Sequence, residues 1–178
     1  TTYAATLTVD SLNNTGVGSL RQAVIDASDG DIIRFNPNLI ASGSATITLT
    51  SEIAFNKGLT FKGLYNATDT LYISGNNTNR IFNVDLASAT VKNMTFDSML
   101  LINGNTSGEG GALNIINADS LTINNSILRK NHGDNYGGAV HAYNASYIKL
   151  ISNNSLYANN TANNSGGAIA VRSQVSGG

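Results

Sequence analysis

A chain of 178 residues fits one ordinary domain with room for a sizeable core. Ten Lys and Arg against eleven Asp and Glu leave a net charge of −1, so there is no basic surplus for a phosphate backbone or an anionic membrane. With 12% charged and 41% hydrophobic residues, no Cys, no Trp, two His and one Pro, the composition excludes a coiled coil, a disordered chain, disulfides, a thiol nucleophile and zinc-thiolate sites, and poorly supplies a His-built metal site. No apolar run of membrane-spanning length and no basic amino-terminal leader occurs, so the chain reads as soluble, with no direct membrane insertion expected.

In chain order, the first pattern is helical. Leu20, Ala23, Val24 and Ala27 recur at helix spacing after Ser19, an N-cap type, which predicts a short helix near 18–28. From there on, short alternations such as Ala45-Thr46-Ile47-Thr48-Leu49, Leu71-Tyr72-Ile73 and Ile81-Phe82-Asn83-Val84 predict strands of four to six residues between Asn, Gly and Ser clusters. Leu59-Thr60-Phe61-Lys62-Gly63 and Thr90-Val91-Lys92-Asn93 read as weak echoes of one another, with Asn93 and Phe96 anticipating Asn125 and Leu128.

Further along, the repetition is explicit. Gly110-Gly111-Ala112-Leu113, Gly137-Gly138-Ala139-Val140 and Gly166-Gly167-Ala168-Ile169 share one pattern, the second glycine recurring after 27 and then 29 residues. Leu121-Thr122-Ile123 resembles Ile148-Lys149-Leu150 at an offset of 27, and Asn124-Asn125-Ser126 resembles Asn153-Asn154-Ser155 at 29, which puts a two-residue insertion near Ile151-Ser152. A unit near 28 residues with two or three strands and no helix predicts an all-β parallel β-helix: about six rungs, roughly 29 Å tall at ~4.8 Å per rung. The expected organisation is a cap over 1–35 that blocks edge-to-edge association, then rungs over 36–178. A repeat opened just before Val175-Ser176-Gly177-Gly178 reads as part of a longer array.

The Gly-Gly-Ala blocks, with Leu128-Arg129-Lys130-Asn131 and Tyr157-Ala158-Asn159-Asn160 keeping the Asn but replacing the Phe of a Phe-x-x-Asn element, resemble the polymorphic outer-membrane protein repeat. The stretch from Gly18 to Ala27, followed by Gly30-Asp31-Ile32-Ile33-Arg34-Phe35, is similar to the start of many large microbial surface β-helix proteins. The resemblance implies a right-handed parallel β-helix of the autotransporter-passenger or archaeal adhesin-like type, displayed outside the cell as part of a longer surface protein. In that role a host-cell protein or glycan, or a neighbouring cell, would be the partner.

Within the repeat, alternation points Leu113, Ile115, Val140, Ala142, Ile169 and Val171 inward and places Asn114, His141 and Ala170 on an outer surface. The motif residues Gly110, Gly111, Ala112, Gly137, Gly138, Ala139, Gly166, Gly167, Ala168, Asn125, Asn154, Asn131 and Asn160 read as structural. Asn125 and Asn154 are expected to stack at a corner and satisfy buried backbone groups. Tyr136, Tyr143, Tyr147, Tyr157, His132 and His141 enrich the carboxyl half, and Tyr136, His141 and Tyr143 form a candidate binding patch. The carboxylates are dispersed: Asp26, Asp29 and Asp31 fall in the cap and its exit turn, and Glu109 and Asp134 lie at roughly repeat spacing in loops. No catalytic residue, metal or cofactor is expected from this set. An adhesin-like surface segment is the first expectation, with a carbohydrate-active β-helix enzyme or a structural spacer as alternatives.

Overall fold

Short alternating strands cannot bury two faces alone, so each turn of this chain completes its hydrogen bonding on the turn before it. A computed structural model describes residues 4–174 and shows parallel sheets stacked as a β-solenoid of about six turns with a single α-helix. The first strands are β1 (Thr6–Val9) and, after α1 (Leu20–Asp26), β2 (Ile32–Phe35). A single 3-10 turn (Pro37–Ile40) leads to β3 (Ala45–Thr48), β4 (Ile53–Phe55), β5 (Thr60–Lys62), β6 (Leu71–Ser74) and β7 (Phe82–Asp85). The regular turns then follow: β8 (Asn93–Asp97), β9 (Leu100–Ile102), β10 (Asn105–Thr106), β11 (Leu113–Ile116), β12 (Ser120–Asn124), β13 (Ile127–Arg129) and β14 (His132–Gly133). The last are β15 (Val140–Asn144), β16 (Lys149–Asn153), β17 (Leu156–Ala158), β18 (Thr161–Ala162) and β19 (Ile169–Ser173).

Three faces result. The first is β1-β2-β5-β8-β12-β16, the second β3-β6-β9-β13-β17 and the third β4-β7-β11-β15-β19, with β10-β14-β18 as a short ladder at the corner between the second and third. All pairings between these strands are parallel. Inward residues from the three faces meet in the core, where Phe61, Phe82 and Phe96 are fully buried. Phe61 and Phe96, paired in register, stack at 5.2 Å with rings 4° from parallel, and Phe82 packs 5.0 Å from Phe61.

The helix closes one end as the sequence predicts, burying Leu20, Ala23 and Val24. The Ser19 hydroxyl accepts from the Gln22 amide at 3.1 Å. At its carboxyl end the Lys57 ammonium donates to the carbonyls of Val24, Ile25 and the C-cap Ala27 at 3.0, 2.9 and 2.6 Å, which satisfies three of the carbonyls the helix end leaves open. Asp29 is more than a turn former. Its carboxylate accepts from the amides of Gly58, Thr90 and Val91 and from the Thr90 hydroxyl, tying three consecutive turns together. Partial burial pushes that carboxyl up, but the donors from Val91, Thr90 and Gly58 outweigh it and hold it below its ordinary value.

The register corrects two sequence alignments. Leu121 pairs with Leu150 and Asn124 with Asn153, an offset of 29, whereas Ile116 still pairs with Tyr143 at 27. The two extra residues therefore lie in the exposed Ala145-Ser146-Tyr147 loop rather than near Ile151-Ser152, because a loop absorbs an insertion without opening a ladder. Upstream, Phe61 faces Phe96 and Thr60 faces Thr95, so the echo of Leu59-Thr60-Phe61 is Met94-Thr95-Phe96. Asn93 and Phe96 precede Ser120 and Ile123, not Asn125 and Leu128.

The two glycines of the repeat are required for different reasons, the first by its own turn and the second by the stacking. Gly137 has φ +66°, and a Cβ there would strike the Val140 carbonyl oxygen. A Cβ on Gly138 would strike the backbone of Thr161 and Gly167 in the following turn. Ala112 and Ala139 point into the core at 0% exposure.

The two asparagine ladders differ. Asn125 and Asn154 both turn the chain at φ +49°, and Asn154 Nδ2 donates to Asn125 Oδ1 at 2.9 Å while Asn125 Nδ2 donates to Asp97 at 2.9 Å. That ladder is exposed and joins side chains only, which corrects the expectation that it satisfies buried backbone. Asn131 does so instead: it accepts from the Gly104 amide at 2.8 Å and donates to the Leu101 carbonyl at 3.2 Å, at 1% exposure. Asn160 repeats the arrangement on Asn131 N and the Leu128 carbonyl. Leu101, Leu128 and Tyr157 pair at the inward position where the resemblance implies Phe.

Replacing Asn131 by Leu strands two backbone groups at about 1–3 kcal/mol each, an expected drop of about 5–15 °C in melting temperature, whereas Asn125→Gly, which keeps the left-handed turn, shifts it by no more than about 3 °C. Thermal melts followed by circular dichroism compare the two directly. Gly138→Ala is expected to cost at least about 3 kcal/mol and to lower the yield of folded protein, while Gly167→Ala, whose nearest neighbour is the Asn160 carbonyl at 3.6 Å, leaves the melt of this chain nearly unchanged.

Candidate binding site

On the third face the outward positions Asn83, Asn114, His141 and Ala170 lie in register on successive turns. Asn83 Nδ2 donates to Glu52 Oε1 at 3.0 Å, Asn114 Nδ2 to Asn83 Oδ1 at 3.0 Å, and Asn114 Oδ1 lies 2.8 Å from His141 Nδ1. The direction of this chain makes His141 Nδ1 the donor, which leaves Nε2 as a bare acceptor. Glu52 is held in turn by Arg80 at 2.8 Å, and Arg80 also donates to the carbonyls of Glu109 and Gly110, pinning the loop ahead of the glycine pair.

His141 is outward-facing, as alternation requires, yet it is not on the surface: 5% of it is exposed, and Asn114 likewise. Two aromatic side chains cover it. Tyr136 lies 6.3 Å from the imidazole at 28°, and Tyr143, two residues along the same strand, lies 6.5 Å away at 11°. Nε2 is buried with no hydrogen-bond partner among the described residues. Burial holds the imidazole below its ordinary value against the attraction of Glu109, and Arg172 and Arg80 add to the lowering.

The structure thus brings Tyr136, His141 and Tyr143 into one cluster, but leaves it little open ring surface. The Arg172 guanidinium sits over Tyr136 at 4.1 Å from its centroid. The other aromatic and histidine residues of the carboxyl half go elsewhere: Tyr147 is exposed in its loop, Tyr157 turns inward with its hydroxyl 2.8 Å from Ser152, and His132 bridges Thr161 and Asp134 on the corner ladder. Glu109 and Asp134 do not face one another, since Asp134 N bonds the Thr106 carbonyl while Gly110 N bonds that of Tyr136. Among the described residues no three His, Asp or Glu side chains converge as metal ligands. Ile169 is half-buried and Val171 45% exposed, because no described turn stacks beyond them.

The larger concavity lies on the second face, where the sequence reading placed nothing. Outward positions Tyr72, Leu100, Ile127 and Leu156 are in register there, directly opposite the inward row of Ile73, Leu101, Leu128 and Tyr157. The signal was present as the doublets Leu100-Leu101, Ile127-Leu128 and Leu156-Tyr157. On a strand, neighbours point to opposite sides, so one member of each must face out. Leu100, Ile127 and Leu156 floor a groove of about 570 Å³. Asn125, Asn154 and Ser152 line it at the corner with the first face, and Tyr65 and Thr70 line it from a loop closed by their own antiparallel bridge. None of the lining side chains is charged. No helix among the described residues is long and apolar enough to cross a membrane.

No family model, no curated protein and no solved structure matches the chain.

The buried imidazole makes stability pH-dependent with a fixed sign. Its folded-state value is depressed, so its contribution is complete above the unfolded value near 6.5 and is lost as pH falls from there toward the folded value. Between pH 7.5 and 5.5 the melting temperature of the native chain should therefore fall more steeply than that of His141→Asn; equal slopes in a pH series of melts would remove His141 from the explanation.

Proposed function

We propose that the chain is a segment of an adhesin-like surface protein of the autotransporter-passenger or archaeal adhesin type, and that its second-face groove engages a host-cell or neighbouring-cell receptor. One observation carries this reading: an apolar outward row, Leu100, Ile127 and Leu156, floors a groove on a wall whose other corners are laddered Asn and Ser. Tyr65, on a loop beside the inner turns, remains 51% exposed, apolar surface that costs free energy in water until something covers it, while Leu156 is 56% exposed on the last described strand of the face, where no described turn stacks beyond it. The Gly-Gly-Ala repeats add support through their resemblance to a surface-protein repeat, and a stacked solenoid holds such a groove rigidly away from its anchor. Display at the cell surface is part of the same proposal.

The test is binding of the purified chain to an array of extracellular host proteins and glycans, beside a Tyr65→Ala/Leu156→Ser variant with an unchanged melt. Saturable binding that the variant loses at least tenfold is the expected result. Binding indifferent to the variant would remove the groove. No binding, with cell attachment restored when an unrelated solenoid of equal length replaces this segment in its parent protein, would make it a spacer.

A further inference from the structure

Resting on that reading of the groove, we infer that its ligand is an uncharged oligosaccharide lying along the solenoid axis across three turns. Leu100, Ile127 and Leu156 come from successive turns, so at one strand spacing per turn the apolar row runs for about 10 Å, from Leu100, 8% exposed, to the more open Ile127 and Leu156. A pyranose presents a C–H face that gains by covering such a floor and a rim of hydroxyls that must keep hydrogen-bond partners. The groove supplies both halves. Along its margins, the Tyr65 and Thr70 hydroxyls make no hydrogen bond among the described residues, so they are free to serve sugar hydroxyls. Tyr65 adds a half-exposed ring on a loop shaped by Asn66, which accepts from the amides of Thr68 and Asp69.

Charge narrows the class. A uronate, sialate or sulfate would lose water in a groove that offers no cation, and Arg129 on the same face is laid over the Tyr72 ring at 5.5 Å. An extended peptide is disfavoured for a different reason. The floor is the face of a sheet in which β9 and β13 are paired on both sides, so a peptide lying along the axis would find no main-chain edge to join except at β17, the last described strand. A sugar needs only side-chain partners.

The experiment uses the 178-residue chain with methyl-labelled Leu and Ile, titrated with cellotriose, maltotriose and chitotriose, with sialyllactose and a heparin hexasaccharide, and with an apolar decapeptide. Saturable shifts of the Leu100, Ile127 and Leu156 methyls with at least one neutral trisaccharide, weakened roughly three- to tenfold by Tyr65→Ala and untouched by Tyr147→Ala, are the expected result. Shifts of those methyls by the peptide or a charged glycan alone would overturn the ligand class and leave the groove as a receptor site. If none of these probes moves them and the array gives no groove-dependent binding, both the ligand class and the receptor reading fall.

Discussion

Every part of this molecule answers to one constraint: each turn of backbone must lie one strand spacing from the next, so that parallel hydrogen bonds run unbroken along three faces. The constraint places chemically equal residues above one another and makes the same demand at the same place on each turn. At the glycine pair the demand is for a left-handed turn followed by a position with no room for a side chain beneath the next turn's backbone. At the corner between the first and second faces it is for a residue that accepts left-handed geometry, met by Ser98, Asn125 and Asn154. At the next corner an inward amide, Asn131 or Asn160, completes the backbone bonding of the turn below.

Where the turns are irregular, long polar side chains replace the ladders. Lys57 caps the helix, Asp29 gathers the loops of three turns, and Arg80 holds the approach to the first glycine pair. These are charges spent on backbone groups more than on one another. That use explains how a chain with so few ionised residues can place several of them at half-buried positions without opposite charges beside each.

The exterior divides by the same geometry. On the third face the outward row is a polar relay ending at an imidazole under two tyrosines, a packed arrangement with little open ring surface. On the second face the outward row is apolar and opens from Leu100, 8% exposed, to Leu156 on the last described strand, beside hydroxyls that retain unused hydrogen-bonding capacity. The second is the better-shaped recognition surface, and its lack of charge sets what it can recognise.

How much of this was legible beforehand depends on the range of the interaction. The helix, its Ser19 cap, the strand alternation and the repeated glycines are local or periodic features, so the residues themselves determined the solenoid and its end cap. Register was less accessible: Leu121 resembles Ile148 by type but pairs with Leu150, because the turn-to-turn ladder tolerates an insertion only in the loop beside it. The roles of Asn125 and Asn131 separated for the same reason, one amide turning out and the other in. Alternation placed His141 on the outward side, but whether that side is wet depends on Tyr136, from a loop, and Tyr143 closing over it. The groove likewise needs Leu100, Ile127 and Leu156, some 28 residues apart, to come into one row. The sequence determined which residues repeat and which way each points; only the tertiary structure decided which repeats touch and what covers them, because burial is a property of neighbours brought together by stacking and not of any residue alone.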